Sequence, residues 1–167
     1  MLADHLIHIA AAEVGTEEIN GTNCGPRVNQ YKAATWLSAD KPWPWCAAFI
    51  CWIVREAMLA AGVKETATFK RPRTAGALDL ENWSLDQDDT TTTSRKVDRR
   101  MIKPGDIITF KYSTGGHCGL AVSACDQDGN FQTIEGNTDF RGSREGGGVF
   151  RKTRNVSSVH GRIRFNI

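Results

Sequence analysis

The sequence predicts an α+β architecture, with N-terminal helices packed on a C-terminal antiparallel β-sheet of about five to six strands. Apolar residues recur at helical spacing through the first part of the chain. Short strand-like runs bounded by turn signals fill the region after Gly105. A polar stretch over residues 84–100 lies between them, and the pieces on either side cannot fold alone, so residues 1–167 read as a single domain.

Leu2, Leu6, Ile9 and Ala10 fall on one stripe of a first helix that Gly15 can end. The loop Asn20-Gly21-Thr22-Asn23-Cys24-Gly25 follows, and Pro26 suits the first turn of a second helix carrying Val28 and Tyr31. Lys41-Pro42-Trp43-Pro44 breaks the chain into an extended piece, because proline disfavours helix at the residue before it. A third helix is expected from Trp45 or Cys46 to Ala61, with Gly62 past its end. Phe49, Ile50, Ile53, Val54 and Ala57 supply its buried side. A short fourth helix is expected over Thr74–Trp83. Residues 84–100, with the run Asp88-Asp89-Thr90-Thr91-Thr92-Thr93-Ser94, read as an exposed loop. Strands are expected over Asp106–Lys111, His117–Cys125, Asn130–Glu135, Gly148–Thr153 and His160–Phe165. The turn signal Asp126-Gln127-Asp128-Gly129 makes the second and third of these a hairpin.

Composition narrows the functional classes. Hydrophobic residues make up 40% of the chain and charged residues 24%, as in a soluble globular protein. No apolar run approaches the ~20 residues a membrane span needs. The N-terminus has no basic start, and Asp4, His5 and His8 interrupt its apolar stretch, which excludes a secretory signal. Synthesis in the cytoplasm is therefore expected, with delivery by other means for any role outside it. The net charge of +2 is unevenly spread. Residues 1–40 carry two basic and five acidic side chains, whereas residues 141–167 carry seven basic ones and only Glu145 as an acid. This basic C-terminal third, which includes Arg141, Arg144, Arg151, Arg154 and Arg162, either favours an anionic polymer or is an ordinary solvated strand face. The five cysteines are an odd number without a signal peptide, which argues against a disulfide framework. No C-x-x-C pair exists to build a zinc ribbon.

The chemistry then turns on which thiol is reactive. Cys46 sits where a proline-braced extended segment becomes an apolar helix, and the positive end of a helix dipole favours a thiolate. Cys51, mid-helix on a different side, reads as core. Among the histidines, His117 opens a strand whose same-face neighbours are Gly119 and Ala121. Such a face would let the helix approach closely and bring the imidazole to the thiol. Cys118 lies on the other side with Leu120 and reads as core. Hairpin geometry sets the end of the third strand beside the start of the second, so Glu135 can accept the second ring N–H of His117, with Asn137 assisting.

The segments Pro44-Trp45-Cys46-Ala47-Ala48-Phe49, Pro104-Gly105-Asp106-Ile107-Ile108, Gly116-His117-Cys118-Gly119-Leu120 and Thr133-Ile134-Glu135-Gly136-Asn137-Thr138 resemble the signature blocks of CHAP-domain amidases and peptidases. These enzymes belong to the papain-like group that also holds the NlpC/P60 hydrolases. The resemblance runs in order from about Asn23 to the C-terminus. It implies a papain-like fold and cleavage of an amide bond in bacterial peptidoglycan, with Cys46 as nucleophile, His117 as base, and Glu135 and Asn137 as orienting residues. Cys118 departs from the family, where a small aliphatic residue is usual. There is no acidic cluster ahead of Cys46 like the calcium loop of some members, so no metal and no cofactor are expected. Trp43, Trp45 and Trp83 are the candidate residues for lining a substrate groove.

The expected partner is peptidoglycan, with no nucleic acid, and the chain is expected to be a monomer. Two contexts fit a wall hydrolase without a signal peptide: a phage lysis enzyme, which a lone catalytic domain resembles, or an injected effector amidase, for which an immunity protein would be a further partner. A transglutaminase-like or deamidating enzyme and a non-catalytic wall-binding module remain alternatives. Glu135→Gln is expected to cost turnover with little loss of folding stability.

Overall fold

The structure, a computed structural model, describes residues 1–138 and 147–167. Four helices precede a six-stranded antiparallel sheet. The helices are α1 (Leu2–Ala12), α2 (Pro26–Lys32), α3 (Cys46–Ala61) and α4 (Asp79–Leu85). The strands are β1 (Thr91–Ser94), β2 (Ile107–Tyr112), β3 (Gly115–Ala121), β4 (Asn130–Thr138), β5 (Gly148–Asn155) and β6 (Gly161–Phe165). Their order across the sheet is β1-β6-β2-β3-β4-β5. Among the described residues no helix is long and apolar enough to cross a membrane.

Helix α3 is apolar nearly all round, and a helix of that kind must be enclosed. It lies between α1 and α2 on one side and β3 and β4 on the other. Phe49, Ile50, Ile53 and Val54 are fully buried, each stabilising the fold by roughly 1.5–3 kcal/mol. On the helix-facing side of the sheet, Ile107, Cys118, Leu120, Ile134, Val149 and Ile163 join the same core. The opposite face holds a smaller cluster of Ile102, Ile108, Phe110, Ala121 and Phe131. The sheet is thus apolar on both faces, but only one carries the helices.

Three expectations are corrected. The fourth helix begins at Asp79 rather than Thr74, because the Thr74 hydroxyl accepts from Gly76 N–H at 3.1 Å and holds the chain in a turn. The 84–100 segment is not wholly loop: its β-branched threonines form β1, paired to β6 from Thr91↔Phe165 to Ser94↔Arg162. The face made by His117, Gly119 and Ala121 is the one turned away from α3, since their strand neighbours Cys118 and Leu120 pack with the helix. Close approach of α3 to the sheet occurs instead at Gly136 of β4. A Cβ there would lie 2.7 Å from the Phe49 Cβ.

Gly136→Ala is therefore expected to force α3 and β4 apart and to destabilise the protein by about 1–3 kcal/mol. Chemical denaturation measures this, and an unchanged midpoint would show that the contact can relax at no cost.

Candidate active site

The start of α3 is fixed from outside the helix. Trp45, its N-cap residue, is completely buried, stacks near Tyr31 (centroids 5.6 Å apart) and donates its indole N–H to Glu18 at 2.9 Å. Upstream, the buried Lys32 ammonium donates to the carbonyls of Asn23 (2.8 Å) and Lys41 (2.7 Å), tying the loop after α1 to the segment leading into α3. These contacts hold Cys46, the first residue of the helix, which is 5% exposed. Trp45 is an anchor within the core, so its expected place in a substrate groove is corrected: a fully buried ring cannot meet a ligand.

His117 lies on β3 directly opposite Phe110 of β2, and the two rings stack with centroids 6.0 Å apart. Its Nε2 meets Glu135 Oε2 at 2.7 Å. With Nε2 committed there, Nδ1 is the nitrogen left for Cys46, and among the described residues it is buried with no hydrogen-bond partner. Glu135 reaches the ring by lying across Gly119, where a Cβ would meet the glutamate Cγ at 2.6 Å. Gly119 is needed for the carboxylate rather than for the helix.

Glu135 is fully buried and carries more partners than the imidazole alone. Arg154 of β5 donates Nε–H to Oε1 at 2.8 Å and Nη2–H to Oε2 at 2.6 Å. The Thr133 hydroxyl donates to Oε1 at 2.6 Å. The Arg154 guanidinium also sits 4.7 Å from the Phe110 ring centroid, so arginine, phenylalanine and imidazole form a stack beneath the carboxylate. Burial alone would raise the Glu135 pKa, but the hydrogen bonds from Arg154 and His117 outweigh it and bring it down to about 2. For His117, burial disfavours the charged ring, yet its contacts with Cys46 and Glu135 prevail and raise it to about 9. The Cys46 thiol is held well below its ordinary value, first by a hydrogen bond from the Cys118 thiol and then, against burial, by His117 and the Ala47 N–H. Cys118 itself is pushed up by burial and by Cys46.

Cys46, His117 and Glu135 are thus brought together, whereas Asn137 is not joined to them. Asn137 is buried with backbone in the left-handed region (φ 54°), and among the described residues neither end of its amide has a partner. Trp43 is partly buried, with its N–H on Ser38 O and the Lys32 ammonium 5.4 Å from its ring. Trp83 is half-exposed, with its N–H on Lys70 O.

Two neighbours were missed by sequence reasoning. Cys118 looked like core because it alternates with His117, and only the helix seated over it reveals its thiol beside Cys46. Arg154 looked like surface charge. Its register position opposite Phe131 gives no hint that its long side chain reaches Glu135. The basic C-terminal third is corrected with it: Arg154 pairs with Glu135, Arg164 pairs with Asp106 and Arg162 is buried, which leaves Arg151 as the exposed arginine of those described. Arg141 and Arg144 lie outside the described residues. Glu135→Gln would remove the charge from this ion pair with Arg154.

A family model for the CHAP domain matches residues 25–137, more than half of the chain. Among solved structures, the wild-type endolysin LysIME-EF1 is similar with a TM-score of 0.57 and 19% identity, over 97% of this chain and 63% of that one. Ly7917 is similar with a TM-score of 0.53 and 20% identity, over 98% of this chain and 62% of that one. Ly7917 with the hydrolyzing product of MDP gives 0.54 and 17%, with the same coverage. The chain therefore spans somewhat under two thirds of the length of these structures, and at such identities the likeness is one of fold. No curated protein matches the chain.

Because a hydrogen bond from Cys118 favours the Cys46 thiolate, Cys118→Ala is expected to move the pH midpoint of Cys46 alkylation upward. The pH profile of iodoacetamide labelling reads this directly, and an unshifted midpoint would show that the Cys118 thiol does not stabilise the thiolate.

Proposed function

The chain belongs to the CHAP domain family, and from that premise we propose that it is a cysteine hydrolase cleaving amide bonds of bacterial peptidoglycan. In this reading residues 1–167 act as one catalytic unit, and the protein serves host lysis in the manner of a phage endolysin. The observation that carries the reading is the buried His117–Glu135 hydrogen bond, which leaves Nδ1 of the ring for Cys46 at the start of α3.

In the proposed mechanism the Cys46 thiolate attacks the scissile carbonyl carbon, and the His117 imidazolium then delivers its proton to the departing amine. A thioester on Cys46 results. Water, deprotonated by the now neutral His117, attacks the thioester and releases the acid and the thiol. Glu135 acts throughout as the acceptor that fixes the Nε2–H tautomer and stabilises the imidazolium. With its pKa brought down to about 2 by Arg154 and His117, it stays ionised through the neutral range. Backbone N–H groups at the first turn of α3 are suited to receive the oxyanion, because they have no partner within the helix.

Purified bacterial walls in a turbidity assay test the reading. The wild-type chain is expected to clear them and Cys46→Ala to do nothing. Glu135→Gln should lose roughly 100-fold or more in turnover, measured well below its lowered melting temperature. Arg154→Met removes the same ion pair but keeps the carboxylate, so it should share the stability loss and retain turnover within about tenfold. Equal turnover losses in the two variants would make Glu135 a structural residue only, and wall clearance by Cys46→Ala would refute the nucleophile.

A further inference from the structure

A cleft of about 560 Å³ lies between the turn after α2 and the segment 65–74, with the start of the α4–β1 connection on its far side. That volume suits a small ligand. Its most prominent feature is Trp36, whose side chain is 80% exposed although its backbone is fixed by a hydrogen bond to Arg73 O at 3.0 Å. The Arg73 guanidinium covers one side of the indole at 5.1 Å, and Glu65 holds that arginine with two hydrogen bonds of 2.8 Å. The indole is thus a braced platform with an open face. Trp83 stands across the cleft with its N–H committed to Lys70 O, so its ring offers apolar contact.

Charge in the cleft is uneven. Glu65 and Arg73 neutralise each other, and Lys70 and Asp86 also line it. Arg71 is left over. Its guanidinium donates to the carbonyls of Ala34 (2.8 Å) and Pro72 (3.2 Å), and among the described residues no carboxylate pairs with it. The Glu65 carboxylate is near, accepting the Arg71 backbone N–H at 2.8 Å, but its ion pair is made with Arg73, so the half-buried Arg71 guanidinium is best completed by an anion.

The segment that walls the cleft is also tied to the catalytic elements through the core. Thr74 on its wall accepts a hydrogen bond from Cys51 of α3, and Cys51 lies five residues, or ~7.5 Å, along the helix from Cys46. Further along the same segment, Ala77 and Leu78 pack against Gly116, the residue before His117.

We infer that this cleft binds a carboxylate-bearing sugar-peptide unit of the cell wall, with the sugar ring on Trp36 and the carboxylate on Arg71. The inference rests on the wall-hydrolase reading for its choice of ligand. The test uses the full-length Cys46→Ala chain and muramyl dipeptide, with binding followed by calorimetry. Trp36→Ala and Arg71→Gln, each in that background, should weaken binding at least fivefold. Amidating the carboxylate of the probe should weaken binding to the parent but not further weaken it for Arg71→Gln. Because Trp36 is exposed, its removal should leave the circular dichroism spectrum unchanged. No binding by the parent, or equal affinity in all three proteins, overturns the inference. Wall clearance by the active chain is read separately. Clearance together with equal affinities sinks the cleft and leaves the enzyme reading standing, while selective loss of binding in a chain that clears no walls supports the cleft and sinks that reading.

Discussion

A carboxylate shut away from water must find its hydrogen bonds in the protein, and Glu135 finds four: one from His117, two from Arg154 and one from Thr133. Breaking such a buried pair from one side costs on the order of 3–5 kcal/mol. Much of the surrounding sequence follows from that demand. Gly119 must lack a side chain so that the glutamate can cross β3. Phe110 must be flat and large to carry both the guanidinium and the imidazole. β4 and β5 must stay in register so that Arg154 arrives from the neighbouring strand. The same carboxylate fixes the histidine tautomer, so packing and chemistry are constrained by one group.

The electrostatics have a consequence for stability. His117 is raised from 6.5 to about 9, so taken alone it stabilises the fold fully below pH 6.5 and loses that contribution as the pH rises through 9. Cys46 is lowered from its ordinary 9.0, so taken alone it gains stability up to that pH and loses it as the pH falls towards its folded value. Between pH 6.5 and 9 the slopes oppose each other. The folded protein then keeps one proton on the imidazole, and the unfolded chain keeps one on the thiol. A thiolate–imidazolium pair can therefore be held over the neutral range with little pH dependence of the fold from this pair. Glu135, lowered to about 2, contributes above its ordinary 4.5 and loses that contribution only as the pH falls through 2.

Much of this was legible in the sequence, for physical reasons that can be named. The third helix was readable from Pro44, Gly62 and the apolar residues between them, and Asp126–Gly129 marked the β3–β4 turn. The spacing of His117 and Glu135 about that turn was enough to pair them. What was illegible depended on which way a face points. A period of two places His117 and Cys118 on opposite sides but does not say which side the helix covers. Trp45 and Trp36 are the same residue type in the one connection between α2 and α3, yet one is enclosed by Tyr31 and Glu18 while the other stands in solvent. Arg154 was hidden for a similar reason: a basic residue on a strand reads as solvated unless its cross-strand reach is known.

The central claim is that His117 is an imidazolium paired with the Cys46 thiolate in the resting protein. A nuclear magnetic resonance titration of the His117 ring, with ¹⁵N-labelled histidine, measures this directly. The pairing raises the proton affinity of the ring, so the wild-type signal should show both nitrogens protonated at pH 7 and lose one proton only at about pH 9. In Cys46→Ala the thiolate is gone and the transition should move down. A wild-type ring that is already neutral at pH 7, with a transition that Cys46→Ala does not move, would contradict the account.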